Sequence, residues 1–169
     1  MTSSLDHVAL LTQSIERSCT ALGVSPDNIE EFPAEGTREL YLGAPGGARL
    51  LLMQAIGPGP YQDALSKRGP GLHHVALCVE HTRAFAAASG WLVHPRFLDQ
   101  PDRMLWLAHP AVPCLVELMA GPPLSGDPIR LGLPGRPALV SGLRCDSIQH
   151  DDQPRLSWSG DTYPIAQLV

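Results

Sequence analysis

A repeat at a fixed offset restricts how this chain can fold more than any other feature of the sequence. Leu5-Asp6-His7-Val8-Ala9-Leu10 returns as Leu72-His73-His74-Val75-Ala76-Leu77, so His7 and His74 stand 67 positions apart, each opening an apolar strand. The helical stretch after each histidine ends at a glycine, Gly23 and Gly90, again 67 apart. A helix end often enters the left-handed region, which glycine occupies without side-chain cost. An offset kept through strand, turn and helix marks a duplicated supersecondary unit rather than a short motif. Duplicating a histidine at a strand start can bring two imidazoles together, which is the beginning of a metal site.

Each unit reads as β-α-β-β-β. The first has a strand at 6–12, a helix from the N-cap Ser14 to Leu22, and strands near 29–32, 38–42 and 48–53, with Gly36 and Ala44-Pro45-Gly46-Gly47 at the turns. A connector over 57–70 opens with Gly57-Pro58-Gly59-Pro60 and carries a short helix to Lys67-Arg68. The second unit repeats the order, with a strand at 74–79, a helix at 82–89, and strands at 92–97, 104–108 and 115–119. After Gly121-Pro122-Pro123 the pattern breaks into short apolar pieces among prolines, where Leu139-Val140 and the stretch from Leu156 to Trp158 read as strands. The expected organisation is a domain over 1–122 (module one about 4–56, linker 57–70, module two about 71–120). A proline-rich extension over 123–169 then packs on the body or on a partner subunit.

Composition excludes several classes of function. The chain has 169 residues and a formal charge of −5 with its cations scattered singly, which leaves no basic stripe for nucleic acid. No positively charged, apolar leader opens it, and no apolar run reaches the roughly 20 residues of a membrane span. A cytoplasmic protein without a membrane or nucleic-acid partner is expected. Cys19, Cys78, Cys114 and Cys145 lack CxxC spacing and read as buried free thiols.

Four stretches in order resemble the vicinal oxygen chelate (glyoxalase-like) superfamily, and within it the methylmalonyl-CoA epimerase branch. They are Asp6-His7-Val8-Ala9; the linker Ile56-Gly57-Pro58 through Lys67-Arg68-Gly69; Gly71-Leu72-His73-His74-Val75-Ala76; and Ala108-His109-Pro110 leading to Leu115-Val116-Glu117-Leu118. The resemblance spans about residues 4–120 and is most specific at Lys-Arg-Gly-x-Gly-Leu-His-His. It implies an α+β fold in which two βαβββ modules form a curled, cup-shaped mixed sheet around a divalent metal (Zn, Co, Mn or Fe), in a homodimer.

Carried over by residue, the resemblance assigns the metal ligands to His7, His74 and Glu117. Strand alternation then turns His73 to the opposite face from His74. The fourth ligand position falls on Leu50 or Leu51, neither able to bind a metal, and Gln54 is the nearest oxygen donor, reachable only through a bulge or register shift. Glu39 resembles a catalytic carboxylate of the epimerases, and alternation puts it with Tyr41 on one face of its strand. The other reading of Glu39 is a solvated charge paired with Arg38 or Lys67. His109 reads as a turn residue, and His150-Asp151-Asp152 as a solvated loop.

The expected activity is proton transfer next to a carbonyl of a small acyl substrate, such as an acyl-CoA, by an epimerase, isomerase or lyase with a metal-stabilised enolate. Glu39 and Glu117 are the candidate catalytic carboxylates. A metal-free cup that binds a small molecule, as drug-sequestering members of the superfamily do, is a second reading. An Fe(II) dioxygenase using the same two histidines and one carboxylate is a third.

Overall fold

A computed structural model describes residues 2–95, 98–125 and 129–169. Module one contributes β1 (Ser3–Thr12), α1 (Ile15–Leu22), β2 (Glu30–Phe32), β3 (Thr37–Leu42) and β4 (Arg49–Ala55). The linker forms α2 (Pro60–Arg68). Module two contributes β5 (Gly71–Val79), α3 (Thr82–Ser89), β6 (Leu92–Val93), β7 (Met104–Ala108) and β8 (Leu115–Ala120). Of the strand expected over 92–97, only Leu92–Val93 are strand, as β6; His94 and Pro95 are not, and Arg96 and Phe97 lie outside the described residues. Ser14 caps α1 by accepting from the Arg17 N–H, and Gly23 and Gly90 end α1 and α3 with φ of 69° and 79°.

Among the described residues these strands form one open, mixed eight-stranded sheet in the order β2-β3-β4-β1-β5-β8-β7-β6. The order is symmetric about its centre. β1 pairs parallel with β4, β5 parallel with β8, and β1 meets β5 antiparallel at the seam between modules. Side chains alternate across this sheet, so Leu50 and Leu52 enter the main core with Ile15, Cys19 and Leu22 of α1. Leu51 and Met53 turn the other way and join Ala9 and Leu11 under Tyr61, Ala64 and Leu65 of α2. The linker helix thus covers the module-one half of the second face.

The extension folds into β9 (Arg130–Leu133), α4 (Pro137–Gly142), β10 (Ile148–His150), β11 (Arg155–Trp158), β12 (Asp161–Pro164) and a closing 3-10 turn, Ile165–Gln167. Its strands make a second sheet in the order β10-β9-β11-β12. Leu139-Val140, expected as a strand, lies inside α4, where Pro137 occupies the first turn that tolerates it. Leu131, Leu133, Val140, Leu143, Leu156 and Ile165 are buried in one core with α1, α3 and the main sheet. Ser3 ties the two parts together, donating from N–H to Arg144 O (3.1 Å) and from Oγ to Leu143 O (2.7 Å). All four cysteines are buried and free.

Candidate metal centre

The seam strands each carry one extra residue. Between the pairs Leu5↔Leu77 and His7↔Ala76 the unmatched residue is Asp6, and between Ala9↔His74 and Leu10↔Leu72 it is His73. These bulges occupy equivalent points of the repeat, and a bulge suspends strict alternation and re-aims the side chains around it. Asp6 therefore reaches its own neighbour, with Oδ1 2.7 Å from His7 Nδ1. His73 does the same in module two, its Nδ1 2.8 Å from His74 Nδ1. This corrects the expectation that His73 points away from His74, which assumed an unbroken strand.

With their Nδ1 atoms held from behind, both His7 and His74 direct Nε2 inward. The two Nε2 atoms are 3.0 Å apart, and Glu117 Oε2 lies 3.8 Å from that of His74 and 4.0 Å from that of His7. A triangle with those edges has a circumscribed radius of about 2.1 Å, so one point sits at the usual zinc–ligand bond length from all three atoms. Two imidazoles and a carboxylate are also a donor set that Zn, Fe(II), Co and Mn accept. The residues therefore fit a divalent ion, and among the described residues they form the one cluster able to hold it. His7 and His74 are 5% and 4% exposed, which keeps water from competing for them.

The strand register settles the fourth position. Glu117 pairs with Ala76, and the equivalent partner of Ala9 in module one is Leu51, not Leu50. Leu51 is packed under α2 and offers no donor. Gln54 does not replace it. Gln54 shares a face with Leu50 and Leu52, and its Oε1 accepts from the Ile15 N–H (3.1 Å) and from Arg38 Nε and Nη2 (3.2 and 2.9 Å). That oxygen anchors the start of α1 and is spent on the face away from the site, so Gln54 is removed from the ligand set.

Glu39 lies on the same face as the cluster. Its neighbour on that face, Tyr41, sets its ring edge-on to His7 at 5.7 Å, and Tyr41 pairs with Leu51 as Glu39 pairs with Met53. Arg38 points the other way and pairs with Glu16, so it does not neutralise Glu39. Burial, with Glu35 and Glu30 nearby, pushes the Glu39 carboxyl up from its ordinary value, although Thr37 Oγ1 donates to it at 3.1 Å. In module two the same register pairs Trp106 with Glu117 and Met104 with Met119. Trp106 is thus the counterpart of Tyr41, 5.1 Å from His74, and the counterpart of Glu39 is Met104. The site has a carboxylate on one flank and a thioether on the other.

Burial governs the remaining electrostatics. It holds His74 well below the ordinary histidine value, with His73 and His7 adding to the effect, and it holds His73 down at about 4. It raises Glu117, and Asp6 adds to that rise against the opposing pull of His7. Burial alone would also raise Asp6, but the hydrogen bond from His7, with the charge of Arg49, keeps that carboxyl below its usual value.

His109 serves its turn, accepting at Nδ1 from the Ala111 N–H (3.1 Å). Asp151, beside His150, is engaged by Arg155 at 3.6 Å. Asp6, His73, Tyr41 and Trp106 are the site residues to which the sequence assigned no part in the cluster. For the first two a signal was present, because each directly precedes a ligand histidine at the same repeat offset. Tyr41 and Trp106 are 65 positions apart, off the repeat spacing, and only the register exposes their equivalence.

Paired βαβββ modules joined through antiparallel first strands are the architecture of the vicinal oxygen chelate fold, and this chain has that fold. No family model matches the chain and no curated protein matches it. Among solved structures it is similar to a hypothetical protein from Bacillus halodurans C-125, at 18% identity and a TM-score of 0.53, over 75% of this chain and 100% of the other. It is also similar to methylmalonyl-CoA epimerase from Mycobacterium tuberculosis (26% identity, TM-score 0.48, 70% and 88% of the two chains). A third likeness is to a mutant 4-hydroxymandelate synthase from Streptomyces coelicolor (17%, 0.49, 79% and 48%).

Proposed function

We propose that the protein is a metal-assisted carbonyl enzyme that moves a proton on the carbon next to the carbonyl of a small acyl substrate, an acyl-CoA thioester being the class in view. The observation that carries this reading is the three-atom ligand cluster with Glu39 on the same face of the sheet. His7, His74 and Glu117 would hold a divalent ion, which would supply polarisation of the substrate's carbonyl oxygen. Glu39 takes the proton, since a carboxyl raised by burial is a stronger base than an exposed one. Trp106 walls the opposite flank and limits water there.

Epimerisation needs a proton carrier on each face of the carbon. Glu39 serves one face, and the equivalent residue on the other flank, Met104, carries no proton. Glu117 is the other carboxylate of the group. If it stays bound to the ion, the reaction reduces to one-sided transfer, as in an isomerase or lyase.

A second reading has its own support. Leu51 removes a ligand, and the histidines satisfy one another without an ion, which suits a metal-free cup that binds a small apolar molecule. The two-histidine, one-carboxylate set also suits Fe(II) and oxygenase chemistry, so the identity of the ion decides between the metal readings. The test is elemental analysis of untagged protein, followed by solvent deuterium exchange into candidate acyl-CoAs by the wild type and Glu39→Gln. Stoichiometric metal with exchange that Glu39→Gln abolishes supports the proposal. Absence of metal after refolding with each ion supports the binder, and unchanged exchange in Glu39→Gln removes Glu39 from the mechanism.

A further inference from the structure

We infer that Asp6 and His73 are paired positioning residues, one behind each ligand histidine, and that their different chemistry makes His7 a committed ligand and His74 a convertible one. This deepens the metal reading and rests on it only for the loaded state. Asp6 Oδ1 lies 2.7 Å from His7 Nδ1, and an ionised carboxylate can only accept. The proton of neutral His7 is therefore fixed on Nδ1, and its Nε2 presents a lone pair to the site at all times. The second Asp6 oxygen is contacted by Cys78 Sγ at 3.8 Å, which holds the carboxylate in place.

His74 faces an imidazole on both sides, His73 Nδ1 at 2.8 Å from its Nδ1 and His7 Nε2 at 3.0 Å from its Nε2. Because His7 Nε2 only accepts, His74 in the metal-free chain donates from Nε2, and its Nδ1 then accepts from His73. The bonds run His73 to His74 to His7 to Asp6 with every contact satisfied. To bind an ion, His74 must free Nε2 by carrying its proton on Nδ1 and donating to His73, whose own proton passes to Nε2. One proton changes nitrogen in each of two rings, and no charge changes. An incoming ion must therefore displace the one hydrogen bond shared by the two rings, and only His74 must also move a proton to free its nitrogen.

The repeat supplies the test. His73 stands where Asp6 stands, in an equivalent bulge, and each has a guanidinium within electrostatic reach, Arg68 for His73 and Arg49 for Asp6. His73→Asp would thus give His74 the same fixed proton that His7 already has.

The experiment uses the full chain stripped of metal, without substrate. Long-range nitrogen–proton spectra of the histidine rings report which nitrogen bears the proton, and competition with a chromophoric chelator reports zinc affinity. The metal-free spectrum is expected to show His7 protonated on Nδ1 and His74 on Nε2, with His74 changing to Nδ1 when zinc is added. His73→Asp is expected to tighten zinc about 10-fold, and His73→Phe to weaken it about 10- to 100-fold with melting behaviour retained. Should His73→Asp fail to fold, His73→Asn offers a neutral oxygen acceptor and should bind more tightly than His73→Phe. A metal-free His74 protonated on Nδ1 overturns the inference, as does a folded His73→Asp that binds zinc no better than wild type. If the wild type binds no zinc, the metal reading falls, and the metal-free spectrum still decides the inference.

Discussion

Leu51→Glu should restore a fourth ligand and reverse the sign of a stability effect depending on zinc. Leu51 is 3% exposed and packs with Ala9, Leu11 and Met53 under Tyr61, Ala64 and Leu65. Removing that apolar contact costs about 2 kcal/mol, and burying a carboxyl without a partner adds about 1–3 kcal/mol. The metal-free variant should lose about 3–5 kcal/mol, or roughly 6–20 °C in Tm for a chain of this size. Zinc supplies the missing partner. If the added ligand tightens binding about 100-fold, stabilisation by excess zinc grows by about 2.7 kcal/mol relative to wild type, recovering most of the loss. The assay is thermal unfolding of both proteins with chelator and with excess zinc, with affinity measured by chelator competition. Leu50→Glu is the control. It lies one residue away and is fully buried, but in the core on the opposite face, so it should be destabilised with no recovery in zinc. A folded Leu51→Glu whose zinc-induced shift equals that of wild type would refute the reasoning. Leu51 would then not occupy a ligand position.

Acid should destabilise the fold in a defined window. His73 is lowered from 6.5 to about 4 and His74 also lies well below 6.5, so the unfolded chain takes up protons there before the folded one does. The stability these rings contribute is complete above pH 6.5 and is lost as pH falls, at about 1.4 kcal/mol per pH unit for His73. Glu39 and Glu117 are raised and act in the opposite sense above their unfolded value of 4.5, so the histidine contribution is read as the difference between wild type and a His73 variant below pH 6.5. Denaturant midpoints for His73→Phe should be flatter there, and a wild-type slope in that variant would count against the assignment. Burial raises all four thiols, Cys78 to about 11 and Cys114 to about 12, so a thiol reagent at pH 8 should label none of them before unfolding. Rapid labelling of the native chain would show that one of these elements opens. Gly142→Ala would drive a methyl into Ser89 O at the end of α3, costing about 1–3 kcal/mol and shifting the emission of Trp91, whose Nε1 donates to Leu139 O in α4. An unchanged spectrum and midpoint would mean that α4 yields at little cost.

Elements governed by local rules were legible in the sequence. Ser14 and Gly23 bracket α1 and Gly90 ends α3, by nearest-neighbour chemistry, and the apolar runs of β4, β7 and β8 mark them as buried strands. Leu139-Val140 misled because two apolar residues are too few to show a period, and Pro137 starts a helix as readily as it ends a strand. The aim of His73 was illegible for another reason. A bulge is a property of two strands in register, and neither strand alone reveals where one will carry an extra residue.

The repeat nonetheless held more about the site than its histidines suggested. Repeat arithmetic left the fourth ligand between Leu50 and Leu51 because it counts positions along one chain, whereas the site is built across strands. Pairing Ala9 with Leu51 and Ala76 with Glu117 decides it. The same pairing sets Glu39 against Met104. At all three places the scaffold is symmetric and the chemistry is not: aspartate against histidine behind the ligands, leucine against glutamate beside them, glutamate against methionine on the flanks. Two identical halves would bind an ion evenly and act on both faces of a carbon. Under the proposed reading, this chain would divide those tasks, with Asp6 fixing His7, Glu117 supplying the carboxylate ligand and Glu39 the base, so that the Glu39 flank of module one is polar and proton-accepting while Trp106 and Met104 form an apolar wall on the opposite flank.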